Sequence, residues 1–182
     1  MIGHTLCAMP ALSAARPDGA LVDTHIHIFS PDLQRFPYHP EAPYRPPPRP
    51  LEAYIEFVRT ARIDHAIIVH AEPYQDDHRL LEHCFRNEPS PGFFKGTCLF
   101  DPLAPDTPGR MEAIVNRNPG RIVALRIHAT HERGTPFTTS GAIRNRNLRD
   151  PGMKSVWRKA RSLGLAIQFH FLPCYASQIF DL

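Results

Sequence analysis

Leu21-Val22-Asp23-Thr24-His25-Ile26-His27-Ile28-Phe29 is the stretch that decides how this chain reads. It is apolar and rich in β-branched residues, yet it carries an aspartate and two histidines at alternate positions. Side chains two apart on a strand point to the same side, so Asp23, His25 and His27 share a face. Two neutral imidazoles at a strand end suit either of two tasks. They hold a borderline divalent cation such as Zn²⁺, or both hydrogen-bond one substrate oxygen.

Working outward, five short apolar runs recur, at 20–29, 65–70, 94–100, 122–128 and 165–171. They are rich in Val, Ile, Leu and Phe and apolar on both alternations, the pattern of strands buried on both faces of a parallel sheet. Helical patterns lie between them. One covers 51–61 after Pro50 and another 78–86. A third starts at Asp106 or Thr107, with Pro108 at its first position. A fourth starts at Asp150-Pro151 and is closed by Gly164. Alternating strands and helices give βαβ units. The resulting parallel α/β sheet is either open and doubly wound or part of an eight-stranded barrel.

In either architecture ligands bind at the C-terminal ends of the strands. Strand one ends in His25 and His27, strand two in His70, strand three in Asp101, strand four in Arg126 and His128, strand five in His170. Every strand therefore delivers a titratable group to one edge. His170 is the natural third ligand beside His25 and His27. His70 reads as a substrate contact or as a structural strand-end residue. Arg126 lies in an apolar strand and needs an anion, either a substrate carboxylate or a structural Asp or Glu. Tyr74, Asp76 and Asp77 follow strand two in a loop expected to overhang the mouth. The basic stretch Arg144, Arg146, Arg149, Lys154, Arg158, Lys159 and Arg161 reads as a solvated loop and outer helix face.

Composition sets the outer limits. The 182 residues are 42% hydrophobic and 21% charged, ordinary for one globular domain, and the net charge of +3 is far below what phosphate-backbone binding demands. No nucleic-acid partner is expected. No run is long and apolar enough to span a bilayer, so no membrane is expected either. Four widely spaced cysteines, Cys7, Cys84, Cys98 and Cys174, form no CxxC pair, and Cys98 reads as a small buried hydrophobe. Residues 1–19 lack a basic start and a continuous apolar core and read as a flexible tail, with the domain at 20–182. Cytoplasm is the default location. The prolines crowded between Pro37 and Pro50 predict one long irregular loop.

At Asp23-Thr24-His25-Ile26-His27 the chain resembles the amidohydrolase-related group of metal-dependent hydrolases, which have a TIM-barrel fold. With Phe36-Pro37-Tyr38, Tyr44-Arg45-Pro46, Ala66–His70 and Tyr74-Gln75-Asp76-Asp77, it is similar to the 2-pyrone-4,6-dicarboxylate lactonase-like enzymes, along Leu21 to Tyr175. The resemblance implies that His25, His27 and His170 surround the reacting carbonyl, directly or through a divalent metal, most simply Zn²⁺. It implies a small carboxylate or lactone substrate, with Arg126, His128, His70 and the Tyr74 loop as its contacts. The family's strand-six histidine and strand-eight aspartate have no counterpart here. About 25–30 residues are needed for each further unit, so the expectation is five of eight βα units, a C-terminally truncated barrel. Lactonase-like hydrolysis is the leading reading, with a metal-dependent decarboxylase as neighbouring chemistry. The alternative from another class is a non-catalytic half-barrel that binds a metal or ligand, or assembles with a second copy or a complementing chain. A phosphoesterase or nuclease barrel fits the modest charge less well.

Overall fold

The computed structural model describes residues 18–130 and 148–182. Five strands, β1 (Val22–Ile26), β2 (His65–Val69), β3 (Phe94–Leu99), β4 (Ile122–Ala129) and β5 (Ala166–Phe171), form one sheet in the order β1-β2-β3-β4-β5. All four pairings are parallel. Helices α1 (Leu51–Ala61), α2 (Arg79–Arg86), α3 (Thr107–Arg117) and α4 (Pro151–Ser162) alternate with the strands. Strands in chain order with a helix in each crossover make this the wall of a partial TIM barrel. A short α5 (Ala176–Ile179) and single turns of 3₁₀ helix at Glu72–Tyr74 and Pro173–Tyr175 complete the described elements.

Local chemistry accounts for the element ends. Asp150 caps α4, its side chain accepting from the Gly152 N–H at 2.8 Å, with Pro151 as the first helical residue. Gly164 then adopts φ +69°, a left-handed conformation that glycine takes without strain, and Leu165 N donates to Ala160 O. At α3, Asp106 occupies the cap position without a side-chain hydrogen bond, and Thr107 instead donates its hydroxyl to the Asp101 carbonyl.

The core lies between the helices and the central strands. β3 and β4 are buried along nearly their whole length, and Phe94, Leu99, Leu125 and Ile127 are almost fully enclosed. Cys84 and Cys98 are free thiols inside this core. Gly96 lets α2 sit directly on β3, since a Cβ there would fall 2.8 Å from Leu81 Cδ1 and 2.9 Å from Phe85 Cζ. The two outer strands differ from the expectation of burial on both faces: β1 and β5 are largely exposed or half-buried. Each has a strand neighbour on one side only among the described residues, and an apolar sequence does not bury itself without one.

The N-terminal end of the sheet is fastened by one ion pair. Glu88 accepts from Arg121 Nη1 and Nη2, both at 2.6 Å, and also from the backbone N–H groups of Gly92 and Phe94. Arg121 Nη1 reaches the Phe94 carbonyl as well. Together these contacts tie the connection before β3 to the starts of β3 and β4.

The proline-rich loop is irregular, as its composition requires, but it is tied down. Phe29 and Arg49 exchange backbone hydrogen bonds at 2.9 and 2.8 Å, and His39 N donates to Pro73 O at 2.7 Å. Gln75 Nε2 contacts His39 Nδ1 and Glu41 O. These ties hold the loop against the turn that follows β2. Residues 1–17 of the tail expected at 1–19, and the basic residues Arg144 and Arg146, lie outside the described residues. Of the remaining basic residues, Arg149 pairs with Asp181, and Lys159 with Glu112 at 3.0 Å. No helix of the described residues is long and apolar enough to cross a membrane.

Candidate active site

The C-terminal edge of the sheet gathers the strand-end residues into two groups. The first lies on the continuation of β1. His25 Nε2 and His27 Nε2 stand 3.3 Å apart, with the rings edge to face. His27 Nδ1 is 2.7 Å from the Val69 carbonyl oxygen, which only accepts, so Nδ1 carries the proton and Nε2 is bare while the ring is neutral. Burial lowers the His27 pKa and favours that neutral form. Asp23, on the same strand, is engaged elsewhere: it accepts from Tyr54 OH at 3.0 Å, tying β1 to α1.

This pair fits a metal. Two nitrogens each bound to a tetrahedral Zn²⁺ at about 2.0–2.1 Å lie about 3.3–3.4 Å apart. A metal-ligating histidine ordinarily donates its other N–H to a carbonyl or carboxylate, as His27 does to Val69. In the absence of a cation, one bare Nε2 facing another would repel, so His25 must then donate to His27.

The second group centres on Glu72, in the turn after β2. His170 Nδ1 lies 3.1 Å and His128 Nδ1 3.2 Å from Glu72 Oε1, and Arg126 Nη2 lies 4.0 Å from the same oxygen. The β4–β5 register pairs His128 directly with His170, which is why the two rings meet at 5.0 Å. Tyr44 comes from the proline-rich loop, and burial together with the Glu72 charge pushes its phenol pKa up. Arg126 is almost fully buried, and burial lowers its pKa although Glu72 opposes this. Its Nε and Nη1 have no hydrogen-bond partner among the described residues.

Glu72, His128 and His170 offer three ligand atoms within 4.8 Å of one another, a set able to hold a divalent ion. The Arg126 guanidinium is 3.3 Å from His170 Nδ1, however, and a fixed positive charge in that space opposes a dication. The His25–His27 pair has no such neighbour in hydrogen-bonding contact among the described residues and suits a cation better. His27 nonetheless feels both Arg126 and Glu72 electrostatically, so the two groups face one mouth.

The structure thus divides the expected trio of His25, His27 and His170: the first two touch, and the described contacts of His170 are with Glu72, Arg126 and His128. His70 lies beneath the edge, 3% exposed, its ring 4.5 Å from that of His78. It hydrogen-bonds the Gln75 backbone, its Nε2 has no hydrogen-bond partner among the described residues, and burial lowers its pKa to about 4. Tyr74 is buried, with its hydroxyl accepting from Ser30 N at 3.0 Å. Asp76 and Asp77 turn outward, to Arg110 and Arg79, rather than over the mouth. Glu72 and Tyr44 are the site residues that strand-end reasoning passed over. Alternation from His70 through Ala71 puts Glu72 on the His70 side of the chain, and a buried Arg126 demands an anion; together these pointed to it.

The amidohydrolase family profile matches residues 22–182. This chain belongs to the amidohydrolase family. Among curated relatives of this amidohydrolase, the 4-sulfomuconolactone hydrolase of Rhizobium radiobacter is 42% identical over 59 residues, 32% of this chain and 19% of that one. Among solved structures, a probable 2-pyrone-4,6-dicarboxylic acid hydrolase of Acinetobacter baumannii, with citric acid bound, superposes with TM-score 0.65 at 19% identity, over 88% of this chain and 53% of that one. A Pseudomonas putida protein provisionally given the same activity superposes with TM-score 0.62 at 17% identity, over 88% and 53%. An Agrobacterium tumefaciens protein in its apo form gives 0.60 at 20%, over 90% and 55%. The amidohydrolase chain described here spans about half the length of these structures, and at such identities they establish the fold.

Proposed function

We propose that this chain carries the carbonyl-polarising and carboxylate-binding part of a lactonase-like hydrolase site, acting on a cyclic ester that bears carboxylates. The observation that carries the reading is the His25–His27 pair, spaced for a cation and with His27 locked by Val69. A Zn²⁺ held there would polarise the ester carbonyl and stabilise the oxyanion that forms. Without one, His25 and His27 would hydrogen-bond the carbonyl oxygen directly, and the two modes share the same residues. Arg126, with two buried donors that have no partner among the described residues, supplies a seat for a substrate carboxylate. His128 and His170 wall that seat, while His70 and Tyr74 are buried beneath the sheet edge. The names of the relatives, a pyrone dicarboxylate hydrolase and a sulfomuconolactone hydrolase, fit a ring ester with an acidic substituent. Proton removal from the attacking water falls to a group that residues 1–182 do not match, the family's strand-eight aspartate. Free thiols buried in the core suit the cytoplasm.

The test uses the full 182-residue chain. Zinc titration and binding of 2-pyrone-4,6-dicarboxylate are measured for the wild type, His25→Ala, His27→Ala and Arg126→Met, and loss of the pyrone absorbance is followed. The expected result is zinc or substrate binding that the histidine variants remove, and carboxylate affinity that Arg126→Met lowers. Binding and turnover unchanged in His25→Ala and His27→Ala would sink the reading, as would a wild-type chain that binds neither.

A second reading has its own observation. Leu21 and Val22 at the start of one outer strand are 40% and 41% exposed, and Phe171 at the end of the other and Phe180 beyond it are 38% and 90% exposed. Apolar residues at both sheet edges favour pairing with a second copy or a complementing chain. A strictly monomeric species at every concentration in light scattering removes the second-copy version.

A further inference from the structure

We propose that Glu72 is a positioning residue that fixes His170 in the tautomer protonated at Nδ1, leaving Nε2 as the nitrogen with the free lone pair. The proposal rests on and deepens the reading above, in which His170 walls the carboxylate seat at the mouth.

The argument is one of exclusion at a single nitrogen. A carboxylate oxygen has only lone pairs, so its 3.1 Å contact with His170 Nδ1 is attractive only when that nitrogen carries a proton. Arg126 Nη2, 3.3 Å from the same nitrogen, has only hydrogens to offer. One nitrogen does not accept from the guanidinium and donate to the carboxylate together. The alternative tautomer, with bare Nδ1 accepting from Arg126, sets a nitrogen lone pair against a carboxylate at 3.1 Å. Glu72 therefore decides the outcome, and Arg126 contributes its charge across 4.0 Å to the carboxylate rather than a hydrogen bond to the ring.

Glu72 is itself held in place. Tyr74 N donates to Ala71 O and Gln75 N to Glu72 O, closing the turn around it. His128, 2% exposed, backs the His170 ring edge to face. A half-exposed imidazole is thus given one protonation pattern by a carboxylate held in a closed turn, the arrangement that orients metal-binding and carbonyl-polarising histidines in general.

Long-range proton–nitrogen correlation spectra of the metal-free, full-length chain with ¹⁵N-labelled histidine read the tautomer directly. Wild-type His170 is expected to show a protonated Nδ1 and a bare Nε2. Glu72→Ala frees Nδ1 to accept from Arg126 and is expected to switch the ring to protonated Nε2. Glu72→Gln keeps an acceptor oxygen and is expected to retain the wild-type pattern. A wild-type His170 protonated at Nε2, or a Glu72→Ala chain that keeps Nδ1 protonated, overturns the proposal. Should Glu72→Ala not fold, the wild-type spectrum alone decides. Failure of the hydrolase reading would register separately, as zinc and pyrone binding indifferent to His25→Ala and His27→Ala, and would leave the tautomer result standing.

Discussion

The two ends of the sheet each hold one glutamate and one arginine, and they are built to opposite purposes. At the N-terminal end, Arg121 and Glu88 meet in two parallel hydrogen bonds of 2.6 Å, and two backbone N–H groups fill the remaining acceptor capacity of the carboxylate. At the C-terminal end, Arg126 and Glu72 stand 4.0 Å apart, and two donors of the more deeply buried arginine have no partner among the described residues. A satisfied pair of this kind holds strands together; a buried cation left short of acceptors costs stability unless something else supplies them. The same two residue types thus mark which end of the sheet is fastening and which is site.

The sharpest way to break the contrast is at the fastening. Glu88→Ala strands Arg121 and the Gly92 and Phe94 N–H groups, and should lower unfolding free energy by about 3 kcal/mol in urea titration. A loss below about 1 kcal/mol would mean that the two ends do not differ in this way.

Acid separates the ends next. His70 is buried neutral with a pKa of about 4, against about 6.5 unfolded. The unfolded chain therefore binds more protons between these values. Stability from this group is complete above about pH 6.5 and falls away down to about pH 4, by roughly 3 kcal/mol. His78, whose pKa burial also lowers, acts in the same direction. Glu88 is held below its usual range, its hydrogen bonds to Arg121, Phe94 and Gly92 outweighing the opposing effect of burial, so its contribution persists to lower pH and goes only as the carboxylate protonates. Urea midpoints measured from pH 7.5 to 4 should slope down, and His70→Gln should flatten the slope. A flat wild-type profile would contradict the buried neutral pair.

The smallest effect on stability belongs to the site. Arg126→Met removes a buried, under-satisfied charge and should change unfolding free energy by no more than about 1 kcal/mol, in either direction. The same variant should weaken pyrone dicarboxylate binding about tenfold to a hundredfold, by the loss of charge-assisted hydrogen bonds. Destabilisation by several kcal/mol with intact binding would make Arg126 a second fastening.

Much of this was legible in the sequence. The five strands and four main helices follow from apolar period and from punctuation such as Asp150-Pro151 and Gly164, which are local properties. Alternation along β1 put His25 and His27 together, and the strand-end rule brought Arg126, His128 and His170 to one edge. The pairing of His170 with Glu72 was not legible, because it joins the turn after β2 to β5, and no local pattern encodes which loop leans over which strand. The exposure of β1 and β5 was missed for a related reason, since burial depends on neighbours that an apolar run does not carry in itself. His70 and Tyr74 share the residue types of their exposed counterparts, and only packing against His78 and Ser30 places them beneath the edge.

The order β1-β2-β3-β4-β5 has a consequence for how the molecule is made. Among the described residues each strand pairs with the one synthesised just before it, as Val22 with His65 and Gly96 with Ile122. Connections of fewer than about fifty residues close at modest entropic cost, so each crossover can be completed before the next begins. The sheet is therefore able to grow one unit at a time as the chain leaves the ribosome, with each finished strand serving as the template for the next.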